Sequence, residues 1–271
     1  MSACDSTNTD GRPAMHPVLI EIGRLRIYSY GFMLAASFWI GILLAARRAR
    51  ARGVDPVRIY DLSIILILAA VVGSRVLYIL THRSDYRSVL DVVALWQGGA
   101  TFYGGFALAL AGAVVYLRRS KLSFLLVADI CAPSIALGES LTRIGCFLSG
   151  CCFGAPTGSA LGVVFPPDCP AGYHAHGVAL HPTQLYSSVF TLALAVALLL
   201  ADRRRPFTGF TFSLLCVLYG AGRFTIDIFR YYEPSSRIAG GLAVSQAASV
   251  ALAAAGAILF AVLRRRRSAR G

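Results

Sequence analysis

The stretch Asp61–Leu80, DLSIILILAAVVGSRVLYIL, decides the fold class. As a helix it is long enough to cross the roughly 30 Å hydrocarbon layer of a bilayer, which takes about 20 residues. Similar apolar runs recur, near 29–46, 60–80, 100–117, 122–141, 184–201, 208–228 and 242–263. They predict an all-α membrane protein, a bundle of about seven transmembrane helices forming one integral membrane domain over 1–271. Composition points the same way: 56% of residues are hydrophobic and only 14% charged, with a mean hydropathy of +0.65. A soluble domain carries about a quarter charged residues.

The formal charge of +13 is distributed as a topology signal. The clusters Arg47–Arg52, Arg118–Lys121, Arg203–Arg205 and Arg264–Arg267 follow alternate runs. The intervening loops, such as Thr81–Arg87 and Arg230–Arg237, mix bases with acids. Positive charge marks cytoplasmic loops, so the N-terminus is expected outside and the C-terminus in the cytoplasm. This placement argues against nucleic acid as a partner. Two segments are not spans: the outward N-terminal segment 1–28, and an outward head between the fourth and fifth spans, 145–180. The head is rich in Gly, Pro and Cys and is expected to form loops and short strands. The first residues lack a basic-then-apolar leader pattern, and Cys4, with no apolar stretch before it, reads as a free thiol.

Arginines inside these runs require explanation. Arg75 lies in VVGSRVLYIL, Arg143 in LTRIGCF and Arg223 in YGAGRFTIDIF. An arginine at a helix centre costs about 2.5–3.5 kcal/mol on insertion scales and needs a partner or a polar cavity. Arg223 could pair with Asp227 one turn along, and Arg75 could snorkel outward. The alternative is an anion site. Three arginines in the outer half of the bundle, with few acids beside them, fit a lipid phosphate that guanidinium grips with two parallel hydrogen bonds.

The stretch WQGGATFYGGF, Trp96–Phe106, carries two Gly-Gly pairs around Tyr103. It reads either as close helix packing or as a re-entrant turn presenting backbone N–H groups and the Tyr103 hydroxyl to a ligand. In HPTQLYS, His181–Ser187, Pro182 and Thr183 suit a helix start, with His181 or Thr183 near the cap. His174, His176, Cys151, Cys152 and Cys169 match no strong metal-ligand spacing, so no metal and no other cofactor is expected. Cys146, Cys151, Cys152 and Cys169 fall in the outward head, where a bridge from Cys169 to Cys151 or Cys152 is plausible. Cys131 and Cys216 lie within spans as small packing residues.

Taken in order from Pro17 to Gln246, these motifs resemble the prolipoprotein diacylglyceryl transferase family. IYSYGFML, with Tyr30 and Gly31, is similar to its first-span motif, and GSRVLY to its arginine motif at Arg75 and Tyr78. TRIGCFLSGCCFG resembles the signature Gly-Arg-x-Gly-Asn-Phe-x-Asn-Gly, keeping Arg143, Gly145, Phe147, Gly150 and the closing Gly154. HPTQLY is the family's own sequence, and YGAGRFTIDIFR resembles Tyr-Gly-x-x-Arg-Phe-x-x-Glu-x-x-Arg. There are departures. Tyr103 stands where the family motif has a histidine, Thr142 replaces a glycine, Cys146 and Ser149 replace asparagines, and Cys151 and Ser187 replace glutamates.

The resemblance implies transfer of a diacylglyceryl group from phosphatidylglycerol to the lipobox cysteine thiol of preprolipoproteins at the bacterial cytoplasmic membrane, releasing glycerol phosphate. The nucleophile then belongs to the substrate. Arg143 and Arg223 would stabilise the departing phosphate, and Tyr219, one turn before Arg223, would orient the head group. Tyr103 would take the thiol's proton, or desolvated arginines would favour the thiolate directly. Tyr30, Arg75, Gly154 and Gln184 complete the implied phosphatidylglycerol site. The replacements also admit a non-catalytic paralogue that binds phospholipid or precursor.

Overall fold

The computed structural model describes residues 17–22, 25–81, 102–167, 169–232 and 241–268. Cys4, Gly98 and Gly99, and the loops 82–87 and 233–237 lie outside them. Among the described residues are eight helices: α1 (Ser29–Ala51), α2 (Pro56–Thr81), α3 (Phe102–Arg119), α4 (Phe124–Leu148), α5 (Pro170–Ala175), α6 (Thr183–Asp202), α7 (Phe210–Ile228) and α8 (Val244–Ser268). Strands β1 (Val18–Ile22) and β2 (Leu25–Tyr28) form an antiparallel hairpin ahead of α1, which the sequence reading did not anticipate. Strands β3 (Val163–Val164) and β4 (Ala179–Leu180) pair antiparallel in the expected head.

Six of these helices, all except α3 and α5, are long and apolar enough to cross a membrane. The run expected at 100–117 is helical, but the 18 residues of α3 include a terminal pair, Arg118 and Arg119, that lowers its apolar character. Large apolar side chains such as Leu68, Val189 and Ile258 are exposed on the spans. Helices apolar on every side are suited to lipid, and the protein is a multi-pass membrane protein.

Helix ends follow from local chemistry. Asp55 caps α2, its Oδ1 accepting the Val57 N–H at 3.0 Å, with Pro56 at the first helical position. Arg48 and Arg50 sit in the last turn of α1, and Arg265, Arg266 and Arg267 in that of α8, where positive charge complements the helix dipole.

The chain divides into two compact units. In Leu44–Val127, α2 packs on α3 through glycines. A Cβ on Gly104 would collide with the Gly73 carbonyl, and one on Gly105 would lie 2.8 Å from the Ala70 oxygen. The second Gly-Gly pair therefore serves backbone approach within a continuous helix and forms no re-entrant turn.

In the other unit, Met1–Leu43 with Ala128–Gly271, Ser140 of α4 and Ser188 of α6 each donate to the other's carbonyl, at 2.9 and 3.0 Å. Ala132 and Ala136, Leu194 and Leu198, and Leu215 form the core where α4, α6 and α7 meet. Thr142, at the signature position where the family pattern has glycine, donates to Gly138 O at 2.9 Å and to Ser37 Oγ at 3.2 Å. The N-terminus of α7 is held from a distance. Gly209 has no side chain to cap it, and the fully buried Asp129 of α4 instead accepts the Gly209 and Phe212 N–H groups at 2.7 and 2.8 Å.

Candidate active site

The C-terminal end of α4 carries Glu139, Arg143 and Cys146 at helical spacings of four and three, which puts them on one face. Arg143 donates through Nε and Nη2 to Glu139 Oε1, at 3.2 and 3.0 Å. Nη1 takes no part in that pair. The Tyr219 side chain of α7 lies within electrostatic range of Glu139, Arg143 and Arg223. One turn on, Arg223 Nη2 lies 3.0 Å from Asp227 Oδ1, a carboxylate fully shielded from solvent.

These pairs correct the expectation that the arginines lacked acids nearby. Each of the two has a carboxylate four residues away on its own helix. Pairing offsets the cost of burying each charge, and it neutralises the site without consuming every guanidinium N–H. The Arg223–Asp227 contact was one of the readings the sequence offered; Glu139 was missed. Its signal was present, since Glu139 and Arg143 stand at i and i+4.

Past α4 the chain reverses. Gly150 has φ +65°, while its N–H bonds Phe147 O at 3.0 Å and the Cys151 N–H bonds Cys146 O at 3.1 Å. That pattern closes the helix end and brings Cys151 back over Cys146. Cys152 is itself left-handed, at φ +60°, a conformation that is uncommon away from glycine. The start of α6 secures this turn: Gln184 Nε2 donates to Cys151 O at 2.7 Å and Thr183 Oγ1 to Cys152 O at 3.0 Å. Neither His181 nor Thr183 caps the helix through its side chain; Pro182 between them holds the cap position, Thr183 binds the loop, and His181 Nδ1 lies 3.2 Å from the Tyr186 hydroxyl.

The three sulfur atoms of Cys146, Cys151 and Cys152 all lie within 4.8 Å of one another. The adjoining Cys146 and Cys152 thiols, and then burial, push the Cys151 thiol up. Cys152 is held down by the adjoining Cys146 and Cys151 thiols, with the Arg230 and Arg143 charges adding to the effect. The bridge expected at Cys169 is not present: no disulfide joins the six described cysteines, and the Cys169 thiol donates to Pro166 O at 3.1 Å. Its small size suits close packing against Gly150.

The remaining expected residues fall as follows. Tyr30, at the start of α1, lies within electrostatic range of Arg143 and the three thiols. Gly154 is wedged among His181 and Phe229, whose atoms would stand 2.6 Å from any Cβ placed there. Gln184 is almost wholly buried, and its Oε1 accepts no hydrogen bond from the described residues. Arg75, buried in α2, and Tyr103, 73% exposed on α3, belong to the other compact unit. His174 is an aromatic packing partner, 4.4 Å from the Tyr231 ring centre.

Apolar spans carrying acid-paired arginines beside a polar, cysteine-bearing turn define a multi-pass membrane protein with charged groups held within it. The chain belongs to the prolipoprotein diacylglyceryl transferase family, whose model matches residues 17–262. A phosphatidylglycerol–prolipoprotein diacylglyceryl transferase of Clostridium tetani is 34% identical over 221 residues, covering 80% of this chain and 86% of that protein. A second so named, from Clostridium perfringens, is 33% identical across 91% of this chain and 94% of its own length. One from Geobacter sulfurreducens is 30% identical across 94% and 98%.

Proposed function

We propose that this protein is a transferase that moves the diacylglyceryl group of phosphatidylglycerol to the lipobox cysteine thiol of preprolipoproteins, the first step of bacterial lipoprotein maturation. Family membership over most of the chain carries the reading. The substrate sulfur attacks the glyceryl carbon, and glycerol phosphate departs with the electron pair of the broken C–O bond. Negative charge grows on the phosphate as it leaves, so fixed guanidinium donors lower the barrier. Arg143 offers Nη1 for this task while Glu139 holds the rest of the guanidinium in place. Arg223 and Tyr219 act beside it, and the unfilled Gln184 Oε1 suits a glycerol hydroxyl. Tyr30 and Gly154, in the same compact unit as Arg143, complete the lipid site, while the family resemblance offers Arg75 for the phosphate and Tyr103 for the thiol proton.

The proposed setting is the bacterial cytoplasmic membrane, with seven spans including α3, the N-terminus and head outside and the C-terminus in the cytoplasm. Reporter fusions after Arg52, Arg119, Arg205 and Arg267 should read cytoplasmic, and one at Tyr173 external. A cytoplasmic reading at Tyr173 would overturn this topology and the outer-leaflet site with it.

Mass spectrometry of a lipobox peptide incubated with the purified protein and phosphatidylglycerol tests the activity. A diacylglyceryl thioether is expected; an unmodified peptide that nevertheless binds would identify a non-catalytic binder. In the same assay Tyr103→Phe locates the proton acceptor. A steep loss near neutral pH that partly recovers at high pH, where the substrate thiol ionises unaided, assigns that role to the hydroxyl. Retained activity passes thiol ionisation to other groups.

A further inference from the structure

The three cysteines of the signature are unexplained by phosphate binding. Cys146 replaces an asparagine and Cys151 a glutamate of the family pattern, and Cys152 stands beside them. Three sulfurs within 4.8 Å of one another exceed what packing requires. Their backbone is also fixed independently of the thiols. The helix-end bonds of α4 hold Cys146 and Cys151, while Gln184 and Thr183 hold the Cys151 and Cys152 carbonyls.

We infer that Cys146, Cys151 and Cys152 form a zinc site whose fourth position receives the substrate's lipobox thiolate. The inference rests on the transfer reading above. Zinc with three thiolates at about 2.3 Å places its ligand sulfurs about 3.8 Å apart, so sulfurs already within 4.8 Å have at most about 1 Å to close on an ion. Thiolate donors favour zinc over magnesium or calcium. Three protein ligands and one open position is the arrangement of catalytic zinc, whereas structural zinc takes four. Among the described residues the group holds three donors. Three thiolates around a divalent cation leave one excess negative charge, and Arg143 and Arg230 are the cations near enough to act on Cys152.

The chemistry suits the reaction. A thiol bound to zinc is deprotonated outright, its proton passing to water. The bound sulfur attacks the glyceryl carbon; an S–C bond forms, the C–O bond breaks, and the electron pair leaves on the phosphate oxygen. Zinc keeps its oxidation state, and the thioether product, a poorer ligand than the thiolate, dissociates. Arg143 lies one turn from Cys146, so phosphate and thiolate would be handled at one helix end. Tyr103 then need not take the proton, which accounts for the absence of the family's histidine at that position.

The full chain, purified from membranes without chelator or metal-affinity resin, should contain about one zinc per molecule by mass-spectrometric metal analysis. Cys151→Ser and Cys152→Ser should each lose most of it, and Cys131→Ala should keep it. Chelation of the wild-type chain should lower transfer at least about a hundredfold, with recovery on adding zinc, which removes any dependence on how the variants fold. In cobalt-substituted protein, a lipobox peptide should strengthen the sulfur-to-cobalt absorbance, and its Cys-to-Ser counterpart should not. Transfer by zinc-free protein, a disulfide among the three cysteines, or copper bound in place of zinc would each overturn the inference while leaving the transferase reading intact. Zinc bound with the cobalt response but no transfer would overturn the transferase reading and still support the site.

Discussion

Arg143→Lys should lower diacylglyceryl transfer about a hundredfold, the consequence of losing roughly 3 kcal/mol of transition-state stabilisation from one charged donor. Lysine retains the charge and can still meet Glu139, so insertion and folding should be unaffected. It lacks the planar fork that lets one side chain hold Glu139 through Nε and Nη2 and present Nη1 elsewhere. The measurement is the initial rate of thioether formation, with the melting temperature in detergent as the control for folding. Glu139→Gln should reduce the rate less, because it loosens Arg143 without removing a phosphate donor. Wild-type rates in Arg143→Lys would remove this arginine from the reaction.

The second large effect concerns stability. Asp129→Ala should destabilise the protein by about 3–5 kcal/mol, since two buried N–H groups at the start of α7 lose a charged acceptor worth roughly 1.5–3 kcal/mol each. Asp129→Asn should cost less, its single carbonyl oxygen still able to accept one of them. Thermal unfolding in detergent, followed by loss of the monodisperse peak, reads the difference. An unchanged midpoint in Asp129→Ala would show that Gly209 and Phe212 are satisfied in some other way.

Much of the site could be read from linear spacing because helices convert spacing into proximity. Arg223 and Asp227, four residues apart, form the pair that their spacing suggested. Glu139 and Arg143 obey the same rule, and only the expectation of an external counter-ion hid the pairing. The cysteines do not. Counted as ligand spacing, Cys146, Cys151 and Cys152 match no familiar metal pattern. What gathers them is a helix end, a left-handed Gly150, a left-handed Cys152 and two side chains from α6 more than thirty residues on. Nor does the apolar run around Asp129 reveal that its carboxylate caps a helix whose first residue is Phe210.

The sequence by itself determined that this is a multi-pass membrane protein of one family. Burial in lipid demands long apolar helices, and charge sets their orientation, both of which are properties of composition along the chain. The tertiary structure alone decided which polar groups meet. Ser140 and Ser188, and Asp129 and the α7 terminus, are brought together by helix packing, and the three sulfurs by the turn that α6 holds. That packing depends on which faces are complementary in three dimensions, and no one-dimensional period encodes it.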